Sequence, residues 1–261
     1  MTLPSWPPAP GGTWILDLDG VVWLSGEPIE GAPEAVAHLR ASGVRTLFVT
    51  NNSAPTVAEL VGRLERAGIP ARPTDLVTSA QAAATVVPLA SRVVVLADEG
   101  VREALADRQV TVVDEGPADV VLVGWTHRFD FDRLAVATAA IRAGALLVAT
   151  NDDPTHPSPQ GLLPGAGALV AAVATASGAH PLLAGKPYPA LVDLVAARAA
   201  DLRAVVGDRA TTDGALAGRL GVPFALVLSG VTSPTDAPAE PTPSATARNL
   251  GKLVQSTLGH R

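Results

Sequence analysis

Along the chain, short apolar runs alternate with longer stretches in which apolar residues recur at helical spacing. The short runs, over 14–17, 45–50, 92–97, 110–113, 120–123, 146–150, 204–207 and 224–228, predict strands. The stretches between them predict helices. One opens at Ala32-Pro33, where proline suits a first turn, and stops before Gly43, a natural C-cap. Another carries the capping box Thr56-x-x-Glu59, an apolar stripe of Val57, Leu60, Val61 and Leu64, and Gly68 as its stop. This alternation predicts an α/β fold, a mainly parallel sheet with helices on its faces. Residues 79–184 carry their own set of strands and helices, enough for a small α/β unit inserted into a core made of 1–78 and 185–261. The segment 233–244, proline-rich and acidic, predicts a surface connection to a final helix over 245–258. Residues 1–12, rich in proline and glycine, predict a flexible tail.

Composition narrows the function. The net charge of −6 and the lack of any basic run argue against nucleic acid or an anionic membrane as the main partner. With no cysteine there is no disulfide, no thiolate metal site and no cysteine nucleophile, so cysteine-dependent phosphatase and protease mechanisms are excluded. The first twelve residues lack the basic and apolar regions of a signal peptide, and the weakly polar run 165–179 falls short of the roughly 20 apolar residues that span a bilayer. A cytoplasmic protein is the expectation.

The chemistry-bearing residues lie where predicted strands end. Asp17 and Asp19 leave the first strand directly into Gly20, which permits the sharp turn that two carboxylates on alternate faces need in order to converge. Such a pair suits a hard cation, or a nucleophile beside a general acid; it also suits a strand end with two solvated, turn-favouring aspartates. Thr50-Asn51-Asn52-Ser53 follows the second strand on the same rim. It offers a hydroxyl and backbone N–H groups to a phosphate oxygen, or simply starts the next helix. Gly185-Lys186-Pro187 is no P-loop, because Pro187 stands where serine or threonine is needed; Lys186 can still neutralise a phosphate. Asp208 repeats the strand-end geometry of Asp17, while Asp213 stands where a helix cap would.

Taken in order, Asp-x-Asp-Gly, Thr-Asn-Asn-Ser, Gly-Lys-Pro and Gly-Asp-Arg-x-x-Thr-Asp resemble the haloacid dehalogenase (HAD) superfamily phosphatases of subfamily IIA, which include 4-nitrophenyl, pyridoxal and phosphoglycolate phosphatases. The match runs from about Trp14 to Thr232 and includes Leu163-Pro164-Gly165-Ala166-Gly167. The resemblance implies a Rossmann-like core with a large inserted α/β cap of the C2 type. It implies Asp17 as the nucleophile and Asp19 as the acid that protonates the leaving alcohol. Mg²⁺ is implied on Asp17, the backbone carbonyl of Asp19, Asp208 and Asp213. Thr50, Asn51, Asn52 and Lys186 are implied to bind the phosphoryl group.

His156 matches a substrate-contacting position of the pyridoxal phosphatase branch, and equally suits a surface histidine between prolines. Trp125 and His127 either face the cleft or pack. A homodimer through the cap is a further expectation from related enzymes. The function expected is Mg²⁺-dependent hydrolysis of a small phosphomonoester, with glycerol phosphate, phosphoglycolate, pyridoxal phosphate and nucleoside monophosphates as candidates. The alternatives are a phosphosugar mutase, whose cap usually sits directly after the first motif, and a non-catalytic phosphate-binding scaffold. A receiver-type signalling module does not fit the order of the acids or the insertion.

Overall fold

The computed structural model describes residues 3–24, 26–106, 108–158, 161–233 and 240–259. Six parallel strands form the core sheet, in the order Ala245–Ala247, Phe224–Val227, Leu202–Gly207, Thr13–Leu16, Arg45–Thr50 and Leu76–Thr78. The central strands read Trp-Ile-Leu, Leu-Phe-Val and Ala-Val-Val and are buried on both faces, as parallel strands between helix layers must be. A second parallel sheet, Leu182–Leu183, Leu146–Ala149, Val120–Val123, Arg92–Leu96 and Thr111–Val113, is built from the inserted segment.

The two sheets are not separated by a gap in packing. Ile15, Leu47 and Val205 of the core sheet and Val93, Val95, Leu122 and Val148 of the inserted sheet belong to one continuous apolar cluster, bridged by Ala80, Ala82 and Ala83 of the helix Ser79–Val86. That helix starts on a capping box in which Thr78 Oγ1 accepts from the Gln81 backbone and Gln81 returns the bond. The cap therefore sits on the core through buried alanines, whose small side chains allow close helix approach.

Two expectations change. The segment 245–258 is not one helix: Ala245–Ala247 pairs with Phe224–Val227 as the edge strand, and the helix Leu250–Leu258 starts only after Asn249, whose Oδ1 accepts from the Lys252 backbone at 2.9 Å. Ala-Thr-Ala carries too little strand character to betray this; the open sheet edge selects it. The start of the chain is not a loose tail. Trp6 packs edge-on against Trp14 at 5.2 Å and donates to Thr257 Oγ1 at 3.1 Å, and Leu3 lies against the main cluster. Of the predicted surface connection, 234–239 lie outside the described residues, while Ser244 is tied to the start of the chain through a 2.7 Å bond from its Oγ to the Pro4 carbonyl. Among the described residues no helix is long and apolar enough to cross a membrane.

Candidate active site

Adjacent strands Thr13–Leu16, Arg45–Thr50 and Leu202–Gly207 end on the same rim and deliver Asp17, Thr50 and Asp208 side by side, beyond the carboxyl ends where parallel sheets bind ligands. Gly20 turns the chain with φ +84°, and a Cβ there would stand 2.5 Å from Asp208 Oδ2, so the approach of the two loops requires glycine. Lys186 enters from the turn ahead of the helix Pro189–Arg198, its Nζ 2.8 Å from Asp17 Oδ1 and 2.7 Å from Asp213 Oδ1. Asp17, Thr50, Lys186, Asp208 and Asp213 are all buried, with a small window left on Asp17, which is 8% exposed.

Asp17, Asp208 and Asp213 each offer a carboxylate oxygen within 4.8 Å of the others. Their remaining bonds divide the work. Both oxygens of Asp213 are engaged, Oδ1 by Lys186 and Oδ2 by the Arg209 backbone N–H at 3.2 Å. Asp208 Oδ2 accepts from the Val231 N–H at 2.6 Å. Asp17 Oδ2 and Asp208 Oδ1 have no partner among the described residues. Three buried carboxylates face one ammonium, and the electrostatics reflect that surplus. Burial raises the Asp17 pKa well above the usual carboxylate range, with Lys186 pulling it back, and burial together with Asp213 lifts Asp208 to about 6. Lys186 is held charged more firmly than an ordinary lysine because its two carboxylates outweigh desolvation. A divalent cation with oxygen ligands fits this donor set and removes the surplus.

Asp19 is half-buried beside the cluster. Its Oδ1 accepts from Trp23 Nε1 at 3.1 Å, and burial raises its pKa while His156 and that hydrogen bond oppose the rise. His156 sits on the hairpin of Thr155–Ser158 and Gly161–Pro164, with its ring 5.0 Å from Trp125; burial lowers its pKa and Asp19 pulls it back up. Asp17, Asp19, Thr50, Asn51, Asn52, Lys186, Asp208, His156 and Trp125 all line one inner cavity of about 60 Å³, with Asp213 behind it. An outer cavity of about 520 Å³ adjoins it through Asn52, Trp125 and His156, and adds Arg63, Asp98 and His127. Since one water occupies roughly 10–15 Å³ on this measure, the inner cavity suits a phosphoryl group and the rest of a substrate must lie outward.

Several contacts at the site join residues that lie far apart in the sequence. Ser53, fully buried, accepts from the Trp125 N–H at 3.2 Å and bonds Thr150 Oγ1 at 3.1 Å, joining the core loop to the cap. Asn51 has its side-chain amide committed to protein partners. Its Oδ1 accepts from the Lys186 N–H at 2.7 Å, and its Nδ2 donates to Asp153 at 3.0 Å and to the Lys186 carbonyl at 3.3 Å. Its backbone carbonyl accepts from Ser79 Oγ and Asn151 Nδ2, both at 2.7 Å, so the part of Asn51 left to face a ligand is its backbone N–H. Arg209 and Asp153 also line the inner cavity.

Residues 14–111 match the haloacid dehalogenase-like hydrolases, and 183–253 match a second HAD-hydrolase-like group. D-glycerol 3-phosphate phosphatase of Mycobacterium tuberculosis is 42% identical over 255 residues, spanning 93% of this chain and 71% of that protein. The chain belongs to the haloacid dehalogenase-like hydrolases. Acid sugar phosphatase of Staphylococcus haemolyticus is 35% identical over 230 residues, 84% of this chain and 86% of that one. The crystal structure of the M. tuberculosis glycerol phosphate phosphatase in complex with magnesium superposes with a TM-score of 0.85 at 38% identity, covering 93% of this chain and 76% of that one. The chain is thus a HAD phosphatase of the subfamily IIA type, with a Rossmann-like core and an inserted parallel α/β cap, acting on phosphomonoesters.

Proposed function

We propose that this HAD phosphatase hydrolyses small polyol and sugar phosphates, glycerol phosphate first among them, through a phosphoryl group carried on Asp17. The observation that supports this is the pairing of a phosphoryl-sized inner cavity around Asp17 and Lys186 with a roomy polar outer cavity, in a chain 42% identical to a glycerol phosphate phosphatase.

Asp17 Oδ2, with no partner among the described residues, attacks phosphorus while Lys186 holds Oδ1. The O–P bond forms as the ester O–P bond breaks, and Asp19 gives its proton to the departing alkoxide oxygen. Water then attacks phosphorus, Asp19 takes the water's proton, and Asp17 leaves as a carboxylate with release of inorganic phosphate. The Asp19 pKa, raised by burial, keeps the acid form available for the first half. Thr50 Oγ1, the Asn51 backbone N–H and Lys186, with Asn52 beside them, hold the phosphoryl oxygens. Mg²⁺ would be held by Asp17, the Asp19 carbonyl and Asp208, with Asp213 supporting, and when bound it offsets the charge that opposes attack of a carboxylate on a phosphate dianion.

His156 and Trp125 at the outlet make the cap the selector of the leaving group. In this reading 79–184 is the inserted unit and 1–78 with 185–261 the catalytic core. A homodimer through the cap belongs to the same reading, supported by the exposed Leu146 and Leu182 on the inserted sheet and tested by sedimentation.

Phosphate release from a panel of esters, with Mg²⁺ and with chelator, tests the function. Metal-dependent release that is lost in a folded Asp17→Asn variant is the expected result. Release that survives in that variant overturns the nucleophile assignment, and absence of release from every ester overturns the phosphatase reading.

A further inference from the structure

Asp153 is a half-buried carboxylate brought by the cap to the wall of the inner cavity, where nothing in the reaction above uses it. An extra negative charge beside a phosphate site works against binding, so its presence needs another reason. Its placement is over-determined. The Asp153 N–H donates to Asn151 Oδ1 at 3.1 Å, and its carbonyl accepts from the Gly167 N–H at 2.9 Å. Gly165 and Gly167 pass so close to the backbone of 152–153 that a Cβ at either would overlap it. The loop is therefore built to aim this carboxylate in one direction, at the Asn51 amide 3.0 Å away.

An amide side chain has a donating and an accepting end, and a carboxylate accepts only. With Asp153 on one side, the Asn51 Nδ2 must face the cap and its Oδ1 must face the Lys186 N–H, which it meets at 2.7 Å. The flipped amide would set oxygen against oxygen and N–H against N–H in a buried place. The same Lys186 backbone carries the side chain whose Nζ bridges Asp17 and Asp213.

We propose that Asp153 is a positioning residue, which by accepting the Asn51 amide fixes the Asn51 carbonyl on the Lys186 backbone and so holds the Lys186 ammonium beside Asp17. This rests on the phosphatase reading of the site. The cap thereby does more than cover the reaction; one of its carboxylates sets the position of a core cation.

Asn51→Ala, Asp153→Ala, the double variant and Asp153→Asn test it, by kinetics on glycerol phosphate and 4-nitrophenyl phosphate and by calorimetric binding of inorganic phosphate with Mg²⁺. Loss of one charge-assisted bond predicts that Asp153→Ala lowers kcat/KM for both esters alike, by about 30-fold, and weakens phosphate binding in step. Asp153→Asn keeps an acceptor for Asn51 and stays within about 3-fold of wild type. The double variant is no worse than Asn51→Ala, because coupled residues are non-additive.

Additive losses overturn the proposal. So does Asp153→Asn failing as badly as Asp153→Ala, which would mean that the charge itself is used, or a loss that depends on the leaving group. If Asp153→Ala does not fold, Asp153→Ser takes its place, too short to reach Asn51. If wild type releases no phosphate from any ester, the phosphatase reading fails on its own, and the calorimetric cycle still decides whether Asp153 acts through Asn51.

Discussion

Lys186 Nζ stands 2.8 Å from Asp17 Oδ1, and both groups are buried, so the cation beside the proposed nucleophile is also the only ammonium facing three acids among the described residues. Removing one partner of a buried pair leaves the other uncompensated, which typically costs about 3–5 kcal/mol. Lys186→Met should therefore lower both activity and melting temperature: kcat/KM by about 10²–10³ as electrostatic support for the transferring group is lost, and stability most in the metal-free protein. Steady-state kinetics and thermal melts with and without Mg²⁺ check this, and a variant with near wild-type kcat/KM removes Lys186 from the reaction.

In the proposed reaction, the proton given by Asp19 matters in proportion to how badly the leaving group needs it. Asp19→Asn should cut turnover of glycerol phosphate by about 10²–10⁴ and that of 4-nitrophenyl phosphate, whose phenolate leaves unaided, far less. Burial raises the Asp19 pKa, so the acid form survives to higher pH than in an ordinary aspartate, and kcat falls as pH rises through that raised value. Trp23 opposes the rise through its 3.1 Å hydrogen bond to Oδ1. Trp23→Phe should then move the alkaline limb of the profile upward. A limb that stays put, or moves down, contradicts the assignment.

His156 lies where the inner cavity meets the outer one, against Trp125 and within the field of Asp19. In the proposed reaction such a position touches the alcohol part of the substrate and not its phosphate. His156→Ala should change the ratio of kcat/KM between glycerol phosphate and 4-nitrophenyl phosphate by about 5-fold or more, the scale of one lost contact of about 1 kcal/mol, while inhibition by inorganic phosphate stays as it is. An unchanged ratio rejects the role.

The strands that carry Asp17, Thr50 and Asp208 were legible because each is a buried apolar run that stops at a polar turn, a pattern set by burial on both faces. The edge strand Ala245–Ala247, the short Leu76–Thr78 and the hairpin bearing His156 were not, since their few residues take strand geometry from a neighbour's unpaired backbone and not from their own side chains. Trp6 was hidden among prolines and glycines; only the Trp14 ring and Thr257, far along the chain, give it a place. At the site, the acids and Lys186 stood out because buried charge needs a chemical reason. What could not be read is what Ser53, legible within the Thr50-Asn51-Asn52-Ser53 motif, and Asp153 bond to, because their partners lie across the cap junction and leave no local spacing.

The surplus of buried carboxylates makes the metal-free protein sensitive to pH in a fixed direction. A carboxylate whose pKa is higher folded than unfolded binds more protons in the folded state, so stability falls as pH rises between the two values. For Asp208 that window runs from the ordinary value near 4 to about 6, and Asp17 shifts in the same direction. At about 1.4 kcal/mol per unit, Asp208 alone accounts for at most about 3 kcal/mol. With chelator, the melting temperature should drop between pH 4.5 and 6.5, pH values chosen on the order of that window. Mg²⁺, which binds the ionised cluster, should stabilise by more at the upper pH than at the lower. Melting curves at both values, with chelator and with Mg²⁺, decide it: a metal-free protein that becomes more stable across this range, or Mg²⁺ stabilisation independent of pH, would mean that the three acids do not share one buried cation site.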